Sequence, residues 1–372
     1  MDKKRIAWIT ATCFLDTDIY IVPLLQEYFD INWYILRKEN EKIDYSNELE
    51  LLKDKVSHFE YILIGRKNSS PDALMCYVEF LKYIKKSNYD LIYTAMGNMP
   101  FYTPTLGLLI NPKNVVLGIH NVTVLKGGSH PIIEKFYNWF AINRFKNFHA
   151  YSKVQYEELK KRVKGKNVLY APFLLKDYGK AIHTRTDTRI TFLGYGNIRR
   201  YKRLDVLIDA AEKAFAEVKI PFRVIIAGSS SNWSEYQEHI IHPELFETKI
   251  GRIPNEDIPE LFAETDYVVM PYESIAQSGA MMVAMNYEKP ILASRLEAFE
   301  EYIEDGRNGI FFSPADVDEL AEKMIYVLKN HKEIYPEFEN NFKQIKKSKF
   351  DTNQIVKKHK DYFEKVISMC EK

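Results

Sequence analysis

Four cationic side chains stand close together after a short apolar run in the second half of the chain. Residues 194–203 read GYGNIRRYKR, so Arg199, Arg200, Lys202 and Arg203 fall within five positions. Glycine lets a backbone approach a ligand closely, and guanidinium and ammonium groups bind phosphate oxygens. The segment therefore predicts a diphosphate-binding loop that includes Gly196 and Asn197, and its alternative is a solvated basic turn.

A second candidate loop occupies residues 270–280, MPYESIAQSGA, between an apolar run and a helical pattern. Ser278 is suited to be the N-cap of that helix, which would leave the backbone amides of Gly279 and Ala280 free. Free amides at a helix start carry partial positive charge and stabilise a phosphate. Capping alone is an ordinary structural role. The phosphate-binding interpretation of this loop therefore depends on its combination with the cationic loop.

Three other features have polar side chains where chemistry is possible. His120 follows the apolar run NVVLGI and could contact a sugar hydroxyl or transfer a proton, although a lone histidine is as often structural. Asp16 and Asp18, like Asp316 and Asp318, match a pattern that holds divalent ions in some sugar transferases. The second pair heads a helical pattern, and we interpret both as structural, so no metal site is predicted.

The elements that would position these loops alternate regularly. Runs such as RIAWIT, NWYILR, YILIG, DLIYTAM and NVVLGI alternate with helical patterns, and after a polar connector at 172–188 the alternation restarts with RITFLGYG, RVIIAG, ETKIGRI, DYVVMPY and KPILAS. Such alternation predicts parallel sheets. We expect an α/β protein with two Rossmann-like domains facing a central cleft, at 1–175 and 189–345. A C-terminal helix at 346–372 is expected to pack back toward the first domain.

An apolar stripe also runs along the helical stretch 131–145. Ile133, Phe136, Tyr137 and Phe140 recur at helical spacing, opposite Lys135, Asn138 and Arg144. Core packing of the stripe is the default prediction, and docking on a membrane surface is the alternative.

Charge and cysteine content restrict the partners and the compartment. Residues 1–180 hold 26 Lys and Arg against 19 Asp and Glu, and 113–166 alone hold eleven against three. This excess suits an anionic surface or substrate, or else solvated helix faces. Three cysteines without metal-like spacing favour a reducing, cytoplasmic compartment. A peripheral position of the protein at the inner face of the membrane is compatible with this expectation. A dinucleotide fingerprint would need glycine at Arg199, so nicotinamide is not expected, nor is a nucleic-acid partner.

The second half resembles the retaining glycosyltransferase family that includes glycogen synthases, glycosyltransferase family 4 (group 1) of GT-B fold. The resemblance rests on FLGYGNIRRYKRLDVLIDA, VIIAG, IGRIPNEDIPELFAETDYVVMPY, QSGAMMVAMNYEKPILAS and EYIEDGRNGIFFSPADVDELAEKM. It implies that Arg199 and Lys202 contact the diphosphate of a sugar nucleotide, that Ile253 lies against the base and that His120 faces the transferred sugar. It also implies retention of configuration without a metal or other cofactor.

One departure from the family concerns two glutamates, whose positions are taken here by Ile275 and Val283. The sequence resembles a branch with Gln-Ser-Gly at this loop, so Gln277 and Ser278 are expected to substitute, with Glu273 as a further candidate. We therefore expect a UDP- or GDP-sugar as donor and a glycan or lipid-linked glycan as acceptor. The alternatives are a sugar-nucleotide epimerase of the same fold and a catalytically silent binding protein.

Overall fold

The computed structural model describes residues 3–41, 49–50, 52–68, 70–97, 99–122 and 131–371. The chain divides into two compact units. The first consists of Met1–Leu174 together with Thr352–Lys372, and the second of Leu175–Asp351. Each unit is built on its own parallel sheet, which confirms the expected fold class of two parallel-sheet α/β domains.

In the first unit, strands and helices alternate along the chain. The strands are β1 (Arg5–Ala11), β2 (Asp30–Arg37), β3 (His58–Leu63), β4 (Leu91–Thr94), β5 (Val115–Ile119), β6 (Asn147–Ala150) and β7 (Asn167–Tyr170). The helices are α1 (Thr12–Leu25), α2 (Pro71–Lys86), α3 (Tyr102–Leu109), α4 (Pro131–Arg144) and α5 (Lys153–Arg162). The strand order is β3-β2-β1-β4-β5-β6-β7.

The second unit repeats the alternation. Its strands are β8 (Ile190–Tyr195), β9 (Phe222–Gly228), β10 (Phe246–Ile250), β11 (Tyr267–Met270), β12 (Ile291–Ser294) and β13 (Gly309–Phe312). Its helices are α6 (Leu204–Glu217), α7 (Trp233–Gln237), α8 (Ile258–Ala263), α9 (Gly279–Asn286), α10 (Glu297–Glu300) and α11 (Val317–Lys349). The strand order is β10-β9-β8-β11-β12-β13, the order of a dinucleotide-binding Rossmann sheet.

The sheet of the first unit is covered on both faces, as its nearly continuous apolar strands require. Ala7 and Ile9 of β1 join the core on one face, and Ile6 and Trp8 join the core on the other. The last helix, α12 (Thr352–Cys370), covers the Trp8 face, where its fully buried Phe363 lies 6.2 Å from Trp8 between ring centroids. The C-terminal segment is thus part of the first unit's core.

The default prediction for the apolar stripe of α4 is confirmed for Phe140, which packs against the core of the first unit, and is wrong for Ile133 and Phe136. Ile133 and Phe136 are exposed, as are Ile132 at 82% and Trp139 at 61%, whereas Asn138 is buried. The inward turn of Asn138 has a physical reason: its Nδ2 donates to the carbonyl oxygen of Asn121 at 3.0 Å. A half-buried backbone acceptor is satisfied in this way, and Ile133 and Phe136 are exposed instead.

Among the described residues, no helix is both long enough and apolar enough to cross a membrane.

Candidate functional site in the second unit

The two predicted loops lie at the point where the strand order of the second sheet reverses. Strand β8 pairs with β9 on one side and with β11 on the other, and all of these pairings are parallel. The cationic loop follows β8 and the loop 271–278 follows β11, so both leave the carboxyl edge of the sheet at neighbouring strands. In open α/β sheets, this switch point is where ligands bind.

Contacts among described residues join the two loops. The backbone amide of Glu273 donates to the carbonyl oxygen of Tyr201 at 2.8 Å. A Cβ placed on Gly196 would lie 3.3 Å from Nζ of Lys202 and 3.5 Å from Cβ of Ala280. Gly196 has a φ of +96°, which favours glycine. The predicted residues Gly196, Lys202 and Ala280 therefore share one small region.

The end of β9 and the residue after it fix the start of the cationic loop. The amide of Gly196 donates to the carbonyl oxygen of Ala227 at 2.9 Å, and that of Ile198 to Ser229 at 2.8 Å. A Cβ on Gly228 would stand only 2.1 Å from the carbonyl oxygen of Gly196. Only glycine at 228 permits this approach, so the backbone of the cationic loop is held by close packing.

The four cations of the loop have different surroundings. Arg200 pairs with Glu235 at 3.3 Å, and Arg203 pairs with Asp205 at 2.7 Å. Arg199 is exposed and makes no ion pair with a described side chain. Two of the four charges are thus neutralised locally, and Arg199 and Lys202 remain as the candidates for an anionic ligand.

Lys202 is held in a partly buried aromatic setting. Its Nζ lies 5.2 Å from the ring centroid of Tyr272, a distance at which a cation is attracted to the ring face. Burial lowers the pKa of Lys202, because the surroundings disfavour its charged form, and the nearby charge of Arg199 acts in the same direction. A phosphate next to Lys202 would favour the ammonium form and reverse this effect.

Ser278 is the N-cap of α9, as predicted. Its Oγ accepts a hydrogen bond from the amide of Met281 at 3.2 Å, and the helix begins at Gly279. The buried Tyr272 is also hydrogen-bonded to Ser278. The cap thereby connects the start of α9 to the ring that Lys202 covers.

Lys176 is a residue of this region that sequence reasoning missed. It is only 4% exposed, and a Cβ placed on Gly279 would lie 3.2 Å from its Nζ. It belongs to the irregular connector between β7 and β8, within the second unit. A lysine in a polar connector gives no periodic signal, so only the folded structure shows its proximity to α9.

Three predicted residues of this unit remain: two lie in the two loops, and the third lies in another segment. Asn197 is exposed, and Gln277 is half-buried directly before the N-cap. Ile253 is half-buried in the irregular segment between β10 and α8, and the contacts that join the two loops do not run through it. Their contact with a ligand stays a prediction.

His120 lies in the first unit, directly after β5, as the strand pattern predicted. Its ring is stacked between Phe14, at 4.3 Å between centroids, and Tyr151, at 4.5 Å. Burial lowers the pKa of His120 to about 4, and a hydrogen bond with the backbone of Ala95 opposes this shift only in part. At neutral pH the ring is uncharged, so it can hydrogen-bond a hydroxyl group but does not hold an extra proton to donate.

Both Asp-x-Asp pairs have structural partners. Asp18 is buried in α1 and accepts a hydrogen bond from Nε1 of Trp8 at 2.9 Å. Asp316 caps α11, where it accepts from the amide of Glu319 at 2.9 Å. Within the described ranges, no group of three or more His, Cys, Asp or Glu side chains is arranged to hold a metal ion.

Comparison with known families gives the class of this site. Residues 187–330 match the sequence model of the family described as glycosyl transferases group 1. Over this range the second unit is similar to that family. This confirms the resemblance at the level of group 1, and the match includes the cationic loop and the start of α9.

A curated relative has the same general description. The chain is 23% identical over 195 residues to the uncharacterized glycosyltransferase MJ1069 of Methanocaldococcus jannaschii. The alignment covers 51% of this chain and 48% of that protein, so the match spans about half the length of the relative.

Solved structures have folds similar to that of this chain. S. aureus TarM, crystallised with fondaparinux, α-GlcNAc-glycerol and UDP, aligns with a TM-score of 0.75 at 13% identity, covering 97% of this chain and 99% of TarM. HepE from Anabaena, in complex with UDP and glucose, aligns with a TM-score of 0.70 at 15% identity, covering 97% and 100%. At such identities the likeness concerns the fold.

Proposed function

We propose that this protein transfers a sugar from a nucleoside diphosphate donor to a glycan acceptor. The observation that carries the proposal is the meeting of Gly196, Lys202 and Ala280 at the switch point of the second sheet. The Lys202 ammonium group and the start of α9 border the same glycine, since Nζ of Lys202 and Cβ of Ala280 lie 3.3 and 3.5 Å from the position of a Cβ on Gly196. The first amides of a helix have no partner within it. Two adjacent phosphates match this arrangement in charge and in hydrogen-bond acceptors.

In the proposed reaction, the bond between the anomeric carbon and the diphosphate oxygen breaks, and the acceptor hydroxyl oxygen bonds to that carbon. The products are the glycoside, the nucleoside diphosphate and a proton. Negative charge grows on the leaving diphosphate, so preorganised donors there lower the barrier. Arg199, Lys202 and the amides of Gly279 and Ala280 are proposed to fill this role, without a metal and with retention of configuration.

We assign the other predicted residues to binding. Ile253 is proposed to lie against the nucleotide base, and Asn197, Gln277 and Ser278 to hydrogen-bond the donor. His120, which is neutral near pH 7, is proposed to hydrogen-bond a sugar hydroxyl. Two proteins of the same fold are crystallised with UDP, which supports UDP-sugars as the first donors to test, followed by GDP-sugars.

The activity is tested by incubating the purified protein with labelled UDP- and GDP-sugars. Slow donor hydrolysis, or transfer to added glycans, supports the transferase. A changed sugar without any acceptor would indicate the epimerase instead, and binding without turnover the silent binding protein. In the variant Lys202→Met, turnover should fall at least tenfold while thermal unfolding stays near that of the wild type, because the side chain stabilises the leaving group rather than the core.

We further propose that the acceptor is lipid-linked and that the first unit contacts an anionic membrane surface. The support is α4, whose Ile132, Ile133, Phe136 and Trp139 are exposed. Basic residues outnumber acidic ones by eleven to three in 113–166, the part of the chain that includes α4. Apolar side chains flanked by cations are typical of surfaces that dock on membranes.

Flotation with vesicles of anionic and of zwitterionic lipids tests this surface. The wild type should float with anionic vesicles at low salt, and it should float less at high salt because salt screens the attraction. The double variant Phe136→Ser, Trp139→Ser should stay at the bottom of the gradient. A matched control is Leu108→Ser, which changes a 76% exposed leucine of α3 in the same unit. Equal flotation of all three proteins would contradict the membrane proposal.

A further inference from the structure

The connector between β7 and β8 places a lysine ammonium against the first residue of α9. Lys176 is 4% exposed, and its Nζ and Cε lie 3.2 and 3.7 Å from the position that a Cβ on Gly279 would take. Any larger residue at 279 would therefore push against the lysine. The ammonium group stands beside the backbone amides that the proposed function assigns to the diphosphate.

A second ammonium reaches the same turn from another loop. Nζ of Lys202 lies 3.3 Å, and Cβ of Ala280 lies 3.5 Å, from the position of a Cβ on Gly196. Lys176 thus approaches Gly279 from the connector, and Lys202 lies close to Ala280 from the cationic loop. The start of α9 has partial positive charge of its own. Two lysine side chains therefore stand beside the first amides of this helix, and a diphosphate has enough acceptor oxygens to bond with both lysines and the amides.

We infer that Lys176 is a donor-binding residue that contacts the diphosphate, in addition to Arg199 and Lys202. The inference rests on the proposed function, because it names a further contact of the same ligand. According to this inference, the connector binds the donor through Lys176 in addition to joining the two units. Donor affinity then depends on how the connector holds this buried lysine beside α9.

Calorimetric titration of the full chain with UDP, GDP, UMP and uridine separates the possibilities. In Lys176→Met, the Kd for the nucleoside diphosphate that binds the wild type should rise about tenfold or more, since hydrogen bonds to charged groups have strengths of this order. The Kd for uridine should not change, because uridine has no phosphate. Lys176→Arg should recover part of the affinity. Lys180→Met, an exposed lysine of the same connector, is the matched control and should bind like the wild type.

Three results would overturn the inference, and they differ from one another. An unchanged diphosphate Kd in Lys176→Met would show that this lysine does not contact the ligand. Equal losses for UDP and uridine would show a structural role instead, which a lower unfolding temperature of the ligand-free variant would also reveal. A wild type that binds neither UDP nor GDP would refute the proposed function itself, and the inference with it.

Discussion

A buried pair of histidines should make the first unit unstable in mild acid. His359 of α12 is 3% exposed, and His149 of β6 is 2% exposed, with 4.9 Å between their ring centroids. Burial lowers the pKa of His359 to about 4, with a smaller effect in the same direction from Lys358. Burial, followed by the proximity of His359, lowers the pKa of His149 as well. The ring of His359 is therefore neutral in the native state at pH 5.

The size of the effect follows from the difference between the native and unfolded pKa values of His359. The unfolded chain takes up a proton near its ordinary value of 6.5, whereas the native state does so only near 4. Stability is therefore complete above about pH 6.5 and decreases as the pH falls toward 4. Between pH 7.5 and pH 5.0, His359 alone lowers the free energy of unfolding by about 2 kcal/mol.

Urea unfolding at pH 7.5 and pH 5.0 measures this difference, with fluorescence of Trp8 and Trp33, both fully buried in this unit, as the signal. In His359→Leu the difference between the two pH values should shrink by about 2 kcal/mol, whatever the substitution costs at pH 7.5. His183→Leu changes an 84% exposed ring in the other unit and should leave this transition unaltered. If His359→Leu and the wild type lost equal stability in acid, the reasoning would be refuted.

Two further predictions concern the second unit. Gly228→Ala should lower the free energy of unfolding of this unit by about 2–4 kcal/mol in urea titrations, because the new Cβ would stand 2.1 Å from the carbonyl oxygen of Gly196. The control is Gly251→Ala, which has a similar φ of +148° but no atom within 4 Å of the new Cβ and should therefore cost less. Equal costs for the two variants would contradict the packing argument. Asp266→Asn should lower the free energy of unfolding by about 3 kcal/mol, since Asp266 accepts two hydrogen bonds of 2.8 Å from the Arg185 guanidinium and one from the amide of Thr191. The control variant Asp318→Asn changes an exposed carboxylate and should lower it by less than about 0.5 kcal/mol. A similar loss in both variants would disprove the role of burial.

The sequence pattern predicted the fold class because apolar runs in parallel sheets are nearly continuous. It did not predict β6, β7 or β13, each of four residues. Strand β6 includes Asn147 and His149, both buried, and their polarity hides the strand in the sequence. Distant partners satisfy these side chains: Tyr93 bonds Nδ1 of His149 at 2.7 Å. Such partners lie far away along the chain, so local periodicity does not reveal them.

The same limit applies to the candidate site. Glycines, cations and the N-cap were found because each lies directly after a recognisable strand, and the sheet then brings the two loops together. For α4, the helical period was correct but the buried face was correct only in part: Phe140 packs on the core, whereas Asn138 turns inward to bond a loop carbonyl. Lys176 was not found, because its position beside Gly279 depends on the course of an irregular connector.

The most direct test of the central claim is the affinity of the whole chain for UDP and GDP, compared with that of the double variant Arg199→Met, Lys202→Met. We predict that the wild type binds one of these diphosphates more tightly than the matching monophosphate, and that the double variant weakens this binding about fiftyfold or more, as loss of two charge-assisted contacts implies. Equal affinity of the two proteins, or no diphosphate binding by the wild type, would contradict the assignment of these loops to a sugar-nucleotide donor.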